Sequence, residues 1–229
     1  MNAESGDVKH SAGTEGSPGS RQAGGLRLSR LSGTLADRFG EPETASPDEG
    51  RKNASVAVVL RPPDRVAVGD SPLGNSDVLV IRRASSRGDP WSGQMALPGG
   101  RLDPADAGLV EAAVRETMEE TGVDLVAHGT LLGRIEAMRP LGVRIPAISI
   151  WPFVFQVGSG AVARVASPEV ASVYWFPVKA LLDPANRGTY PWTYSGVVRR
   201  FPCIRLEGRV IWGLTYRILT RLFEVAGVG

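Results

Sequence analysis

The sequence is poor in cysteine, in long apolar runs and in charge of one sign. Among 229 residues there is one cysteine, Cys203. No intramolecular disulfide can form, so the expected compartment is a reducing one. Cys203 lies in the apolar stretch Phe201-Pro202-Cys203-Ile204, where a thiol serves as a small buried hydrophobe rather than a nucleophile. The longest strongly apolar run, from Ala147 to Val157, is interrupted by Pro152 and falls short of the ~20 residues that span a bilayer. The N-terminus lacks the apolar core of a secretory signal and is not acid-poor as transit peptides are. Together these absences predict a cytoplasmic protein with no membrane contact. A formal charge of +2, with no basic stripe interleaved with aromatics, excludes a dedicated nucleic-acid binder. The first fifty residues are net acidic and the remainder net basic, a distribution that suits a polyphosphate ligand.

The length suits one domain with a tail, and no internal repeat is evident. Residues 1–25 are rich in Ser, Gly and Glu and poor in large apolar side chains. They bury too little to offset ordering entropy, which predicts disorder. Leu26, Leu28, Leu31, Leu35 and Phe39 form an imperfect amphipathic pattern, so a short helix is expected over residues 26–39, either docking on the domain or contacting a partner. Linker composition returns over residues 41–52. The expected division is a tail at 1–52 and a domain at 53–229.

Within that domain, β-branched and apolar runs predict strands over residues 55–60, 77–82, 95–97, 130–136, 145–157 and 171–176, with short late strands at 198–201 and 209–211. Residues 84–95 and 183–192 read as loops. A short helix is expected over 178–182. Leu214, Ile218, Leu222 and Val225 repeat at helical spacing and predict an amphipathic terminal helix over 212–225. A helix also follows Gly99-Gly100. Asp103-Pro104 there reads as N-cap and first helical residue, Asp106 closes a capping box, and Gly108 weakens the first turns, so the regular part of the helix is expected to start near Leu109. Val110, Val114 and Met118 are expected to face the core, leaving Glu116 and Glu120 off that stripe. A mixed sheet between two helical layers, an α/β/α sandwich, accommodates these elements.

The most informative segment joins the Leu97-Pro98-Gly99-Gly100 turn to Arg115-Glu116-Thr117-Met118-Glu119-Glu120-Thr121-Gly122-Val123. Helical neighbours lie three and four residues apart, so Glu116, Glu119 and Glu120 form a like-charge cluster. A hard divalent cation relieves such repulsion, and Mg²⁺ is typically held by one or two carboxylates together with substrate phosphate oxygens. Acidic runs on helices are more often solvated faces. Here, however, Arg115 is placed to orient a carboxylate, and Gly122 ends the helix where a glycine is expected. The combination points to a metal-dependent enzyme acting on a phosphorylated substrate.

These residues resemble the Nudix hydrolase box, G-x5-E-x7-R-E-U-x-E-E-x-G-U with U aliphatic. The match is close from Arg115 to Val123, with Thr117 in place of the aliphatic residue. Counting from Gly100, the first acidic position falls on Asp106, and Arg115 lies one residue beyond its expected place. The run Gly100-Arg101-Leu102-Asp103-Pro104-Ala105-Asp106 resembles the opening of the coenzyme A pyrophosphatase branch, whose box tolerates that extra residue. Leu79-Val80-Ile81-Arg82-Arg83-Ala84, Gly93 and Pro98-Gly99-Gly100 resemble that branch's second motif, with Asp89 where the motif has arginine. Val210-Ile211-Trp212-Gly213-Leu214-Thr215 is similar to its "I-W-G-x-T" segment.

The resemblance implies a Nudix-type sandwich with a box helix and a C-terminal helix, and a Mg²⁺- or Mn²⁺-dependent pyrophosphatase. It implies metal ligands at Glu116, Glu119, Glu120 and the Gly100 carbonyl, with Arg115 fixing a glutamate. Arg82, Arg83 and Arg87, with Gly99 and Gly100, are candidates for holding substrate. Glu136 and Glu169 are candidates for a general base outside the box. The expected partner is a small nucleotide-linked molecule, coenzyme A or an acyl-CoA first, with ADP-ribose or a dinucleoside polyphosphate as the alternative. No stable nucleic-acid partner is expected, and a homodimer stays open. A non-catalytic nucleotide sensor is the contrasting reading; retention of Arg115, Glu116, Glu119 and Glu120 argues against it.

Overall fold

The computed structural model describes residues 26–63, 71–87, 91–140, 147–194 and 196–228. The expectations for residues 1–25, for Asp89 and for a strand start at Ile145 lie outside them.

Two long strands, β1 (Lys52–Arg61) and β6 (Ile148–Val157), run side by side in parallel, from Lys52 opposite Ile148 to Leu60 opposite Gln156. Every residue of β6 is buried. A strand covered on both faces reads as a continuous apolar run rather than an alternation, which is how residues 148–157 stand out in the sequence. Strand β5 (Gly129–Arg134) pairs antiparallel to the far edge of β6. The other edge of β1 is shared. Its end, Leu60–Arg61, pairs with β2 (Asp77–Arg83), whereas Ala54, Ser55 and Val56 pair with β4 (Gly99–Arg101). Strands β3 (Met95–Ala96) and β7 (Val170–Pro177) complete the mixed sheet by pairing with β2.

Side-chain alternation along β1 sends Val58 and Leu60 to one core and Ala57 and Val59 to the other. Helices α1 (Leu28–Phe39), α4 (Val178–Leu182) and α5 (Gly213–Val225) cover the first face. Helix α2 (Leu109–Thr121) and the short α3 (Leu125–His128) cover the second. The α/β/α sandwich expected from the sequence is the fold observed. No described helix is long and apolar enough to cross a membrane.

Three features differ from expectation. First, packing does not begin at Asn53. Leu28, Leu31 and Leu35 of α1 are fully buried in the main core. The Leu35 side chain lies so close to Gly133 of β5 that a Cβ there would meet the Leu35 Cβ at 2.7 Å. Residues 26–52 therefore contribute apolar contacts that a tail would not. Second, the expected core-facing stripe of α2 holds only in part: Val110 and Val114 are half-buried and pack against the second core, whereas Met118 is 46% exposed. Its buried face is Leu109, Ala112, Ala113, Thr117, Glu120 and Thr121. Small side chains let this helix approach β1 and β4 closely, and the larger valines pack at the edge of that contact. Thr117, which replaces an aliphatic residue of the box, is fully buried and donates its hydroxyl to the Ala113 carbonyl at 2.7 Å. Third, the expected loop at 183–192 contains a strand, β8 (Arg187–Tyr194). It pairs with β9 (Val197–Leu206), which pairs with β10 (Arg209–Trp212), forming a second, three-stranded antiparallel sheet. Ile204 and Ile211 anchor its inner face in the main core.

Candidate active site

The site begins with two glycines opposite β1. Gly99 lies opposite Val56 and Gly100 opposite Ser55. A Cβ at Gly99 would meet the Ser55 carbonyl oxygen at 2.2 Å and the Val56 Cα at 2.6 Å, so backbone alone fits. A Cβ at Gly100 would meet the Glu116 carboxylate at 2.2–2.6 Å. The first glycine lets two strands approach, and the second makes room for an acidic side chain from α2.

Beyond Arg101 the chain turns through residues 103–106. The Asp106 carboxylate accepts from the Asp103 amide at 2.9 Å, and the Asp103 carboxylate accepts from the Ala105 amide at 2.9 Å. The expected closing contact of Asp106 is therefore present, but it closes a turn. The regular helix starts at Leu109, with Gly108 rather than Asp103 at its N-cap. Glu111 accepts a hydrogen bond from the Ala107 amide and ties the turn to the first helical residues. Gly122, in the left-handed conformation at φ 66°, ends α2 and donates to the Met118 carbonyl.

Arg115 organises the acidic groups. It grips Asp106 with two hydrogen bonds, Nε to Oδ1 at 2.8 Å and Nη2 to Oδ2 at 3.0 Å. Its Nη1 reaches Glu116 Oε1 at 2.9 Å and Glu119 Oε2 at 3.3 Å, and Nη2 also donates to the Arg101 carbonyl at 3.1 Å. A planar guanidinium suits several simultaneous acceptors, which an ammonium would not hold in a fixed arrangement. The hydrogen bonds to Asp106 hold the guanidinium protonated, and the same bonds hold the Asp106 carboxyl below its ordinary range. Asp106 thus does more than the turn-closing work read from the sequence: it anchors Arg115. The pairing sits at the irregular front half of the box, where no fixed helical offset could disclose it.

Glu120 lies deepest. It is 4% exposed, and its carboxylate accepts the Gly99 amide proton at 2.9 Å. Burial raises its pKa to about 7. The Gly99 hydrogen bond and Arg83 oppose the rise, and Glu116 and Glu169 add to it. Glu116 is also pushed up, chiefly by burial, with Arg115 opposing and Glu119 and Glu169 reinforcing. Glu119 is the exposed member of the group.

The remaining candidates divide. Arg83 and Glu169 act on Glu120 and belong to its surroundings. Glu169 reaches this place because its backbone carbonyl accepts the Ala84 amide at 2.7 Å. Arg82 is exposed and acts on Tyr174 instead, and Arg87 is exposed. Glu136 is not part of the group. Arg221 of α5, on the other side of the sheet from α2, binds it at 2.8 Å.

A buried Glu120, a half-buried Glu116 and an exposed Glu119 on one helix are oxygen donors of the kind a hard divalent cation takes. Among the described residues no group of three or more His, Cys, Asp or Glu side chains is arranged to hold a metal ion.

Comparison with known proteins places these features in context. The family model described as the NUDIX domain matches residues 53–194. An uncharacterized protein of Schizosaccharomyces pombe is 31% identical over 153 residues, covering 61% of this chain and 45% of that protein. An uncharacterized Nudix hydrolase, NudL, of Yersinia enterocolitica is 29% identical over 153 residues, covering 66% of this chain and 74% of that protein. The chain thus spans less than half the length of the first relative. Among solved structures, a MutT/nudix family protein from Enterococcus faecalis aligns with a TM-score of 0.48 at 18% identity, covering 80% of this chain and 64% of that one.

Proposed function

The chain belongs to the NUDIX family, and on that premise we propose that it hydrolyses a phosphoanhydride bond in a nucleoside diphosphate-linked molecule, coenzyme A or an acyl-CoA first. The observation that carries this reading is the linked placement of Arg115, Glu116, Glu119 and Glu120 against Gly99 and Gly100. The choice of coenzyme A rests on the motifs at 79–84, 98–106 and 210–215.

Glu116, Glu119, Glu120 and the Gly100 carbonyl would hold the cation, Mg²⁺ or Mn²⁺, which when bound neutralises anhydride charge and acidifies water. The chain's own groups have distinct tasks. Arg115 holds Glu116 and Glu119 in one orientation and is itself braced by Asp106. The Gly99 amide fixes Glu120. This preorganisation means that little rearrangement is left to the moment of reaction, and fixed groups of this kind dominate catalysis where charge develops. Glu169, on the loop before β7, would accept a proton from the attacking water; its charge already bears on Glu120 and Glu116. Arg83 offers positive charge to the substrate phosphates. Attack of water on one phosphorus breaks its bond to the bridging oxygen, which departs with the second phosphate.

One panel assay tests the proposal. Coenzyme A, ADP-ribose, NADH, diadenosine polyphosphates and nucleoside triphosphates are incubated with Mg²⁺ or Mn²⁺, and products are identified by mass. Release of 3′,5′-ADP and phosphopantetheine from coenzyme A is the expected result. Cleavage of another member alone would replace the substrate. Saturable binding without hydrolysis of any member would replace the enzyme with a sensor.

A further inference from the structure

The second sheet carries an aromatic surface that the proposed chemistry does not use. Register places Tyr190 opposite Phe201, Trp192 opposite Arg199, and Trp212 opposite Cys203. Alternation puts these side chains on one face, with Ile204 and Ile211 on the other, in the core. The four rings form a contiguous group around Trp212, which lies 4.8 Å from Tyr190, 5.6 Å from Phe201 and 5.7 Å from Trp192 between ring centroids. All four are only partly buried.

Their surroundings are cationic, a departure from the expectation of no basic stripe interleaved with aromatics, because strand pairing gathers residues that lie apart along the chain. Arg199 and Arg205 project from the same face and are exposed. Among the described residues of that face, read from the register, none is acidic. Burying Trp and Tyr in the core would have stabilised the fold more than leaving them half exposed. Rings beside arginines, with no carboxylate among them, match a flat π-system that carries phosphate.

The platform is also tied to the acidic site. Trp212 immediately precedes α5, and Thr215 in the first turn of that helix donates to the Met95 carbonyl at 3.1 Å. Met95 opens β3, from which the chain runs into Gly99, a path of at most about 14 Å. The ring platform and the glycine turn are thus joined through the start of α5 and through β3.

We propose that the outward face formed by Tyr190, Trp192, Phe201 and Trp212, flanked by Arg199 and Arg205, is the stacking subsite for the nucleobase of the substrate. This rests on the hydrolysis of a nucleotide-linked anhydride proposed above. The base stacks on the rings, and the arginines hold phosphate or ribose oxygens on the side away from the cleaved bond.

The test uses the full chain and two probes, 5′-AMP and ribose 5-phosphate, which differ in the base. Their dissociation constants are measured by calorimetry for the wild type, Trp192→Leu, Phe201→Leu and the double variant, with Trp192→Phe as the conservative control. The leucines keep apolar packing but remove the stacking surface. The double variant is expected to bind 5′-AMP about ten-fold more weakly or worse, with ribose 5-phosphate unchanged and Trp192→Phe restoring most of the loss. For any nucleotide-linked substrate that is cleaved, KM rises about ten-fold, with kcat changed less. Unchanged 5′-AMP binding in folded variants overturns the subsite, even if the wild type cleaves coenzyme A. So does unchanged 5′-AMP binding together with a shift from dimer to monomer, which assigns the face to a second copy of the chain. Weakened 5′-AMP binding in a protein that cleaves no member of the panel upholds the subsite and removes the hydrolase reading.

Discussion

Replacing Glu120 by glutamine should stabilise the metal-free protein in neutral and mildly alkaline solution. Glu120 is 4% exposed and its pKa is pushed from an ordinary 4.5 to about 7. A carboxyl that binds its proton more tightly when folded favours the fold below its unfolded pKa. That contribution is lost as pH rises from about 4.5 to about 7. Glu116 is shifted in the same direction by the same cause, so it deepens the loss. At 1.36 kcal/mol per pKa unit, ionised Glu120 costs the folded state about 3 kcal/mol at pH 8. Glutamine keeps an oxygen to accept the Gly99 amide and carries no charge. For a chain of this size about 3 kcal/mol corresponds to roughly 6–12 °C in Tm. The assay is thermal unfolding in a chelator between pH 5 and pH 8, for wild type and Glu120→Gln. The two proteins should be close at pH 5 and diverge as pH rises, with the variant the more stable. Excess Mn²⁺ should restore the wild type at pH 8 and leave the variant nearly unmoved. A wild-type Tm that stays level from pH 5 to pH 8 in chelator would refute the reasoning, as would a variant no more stable than wild type at pH 8.

The same substitution should lower turnover at least about 100-fold while the protein stays folded; near-normal activity would remove Glu120 from the site. Gly99→Ala and Gly100→Ala should separate fold from function. The first drives a Cβ into the Ser55 and Val56 backbone and should cost several kcal/mol, on the order of 3, in urea unfolding. The second displaces only the Glu116 carboxylate and should lower activity about ten-fold or more with a Tm within a few degrees of wild type. Arg115→Lys loses the paired grip on Asp106 and should cut turnover by about 10–100-fold and weaken Mn²⁺ binding. An unchanged Mn²⁺ titration would show that Arg115 does not position the glutamates. Leu31→Ala should destabilise by about 2–5 kcal/mol; a loss below about 0.5 kcal/mol would show that α1 is not part of the core.

What the sequence disclosed follows from which signals are local. The long strands were legible because β6 is apolar but for Ser149 and Gln156, and the helix carrying the glutamates because Gly99-Gly100 and Gly122 frame it. The most deeply buried face of α2 departs from its apolar stripe, of which Val110 and Val114 pack at the core's edge and Met118 is exposed, because size as well as apolarity decides which residues a close-packed helix turns inward. Val110, Val114 and Met118 are larger and more apolar than Ala112, Ala113 and Thr117. A helix pressed against a sheet at close range nevertheless needs small side chains inward. β8 was hidden by Gly188 and Pro191, which punctuate an otherwise strand-like run. The Asp106–Arg115 pair depends on how a turn folds back onto a helix, and no fixed spacing encodes that. Glu136 and Glu169 were indistinguishable as strand-end acids, since only the sheet topology decides which side of the sheet each one reaches.

The contact between Leu26 and Ala226 has a consequence for how the chain reaches its native state. The Leu26 amide donates to the Ala226 carbonyl at 3.1 Å, and the Leu26 carbonyl accepts from the Leu73 amide at 3.0 Å. Segments at opposite ends of the described chain are thus stitched to one another and to the turn that leads into β2. Contacts of such separation form late, because loop-closure entropy must be met before they return any energy. The matched family region, residues 53–194, includes neither α1 nor α5. During synthesis, the apolar face of the sheet that these helices cover stays open until α5 has been made. The region matched by the family model is therefore smaller than the unit that folds. An excised 53–194 fragment is expected to be aggregation-prone even though it holds every glutamate of the acidic cluster.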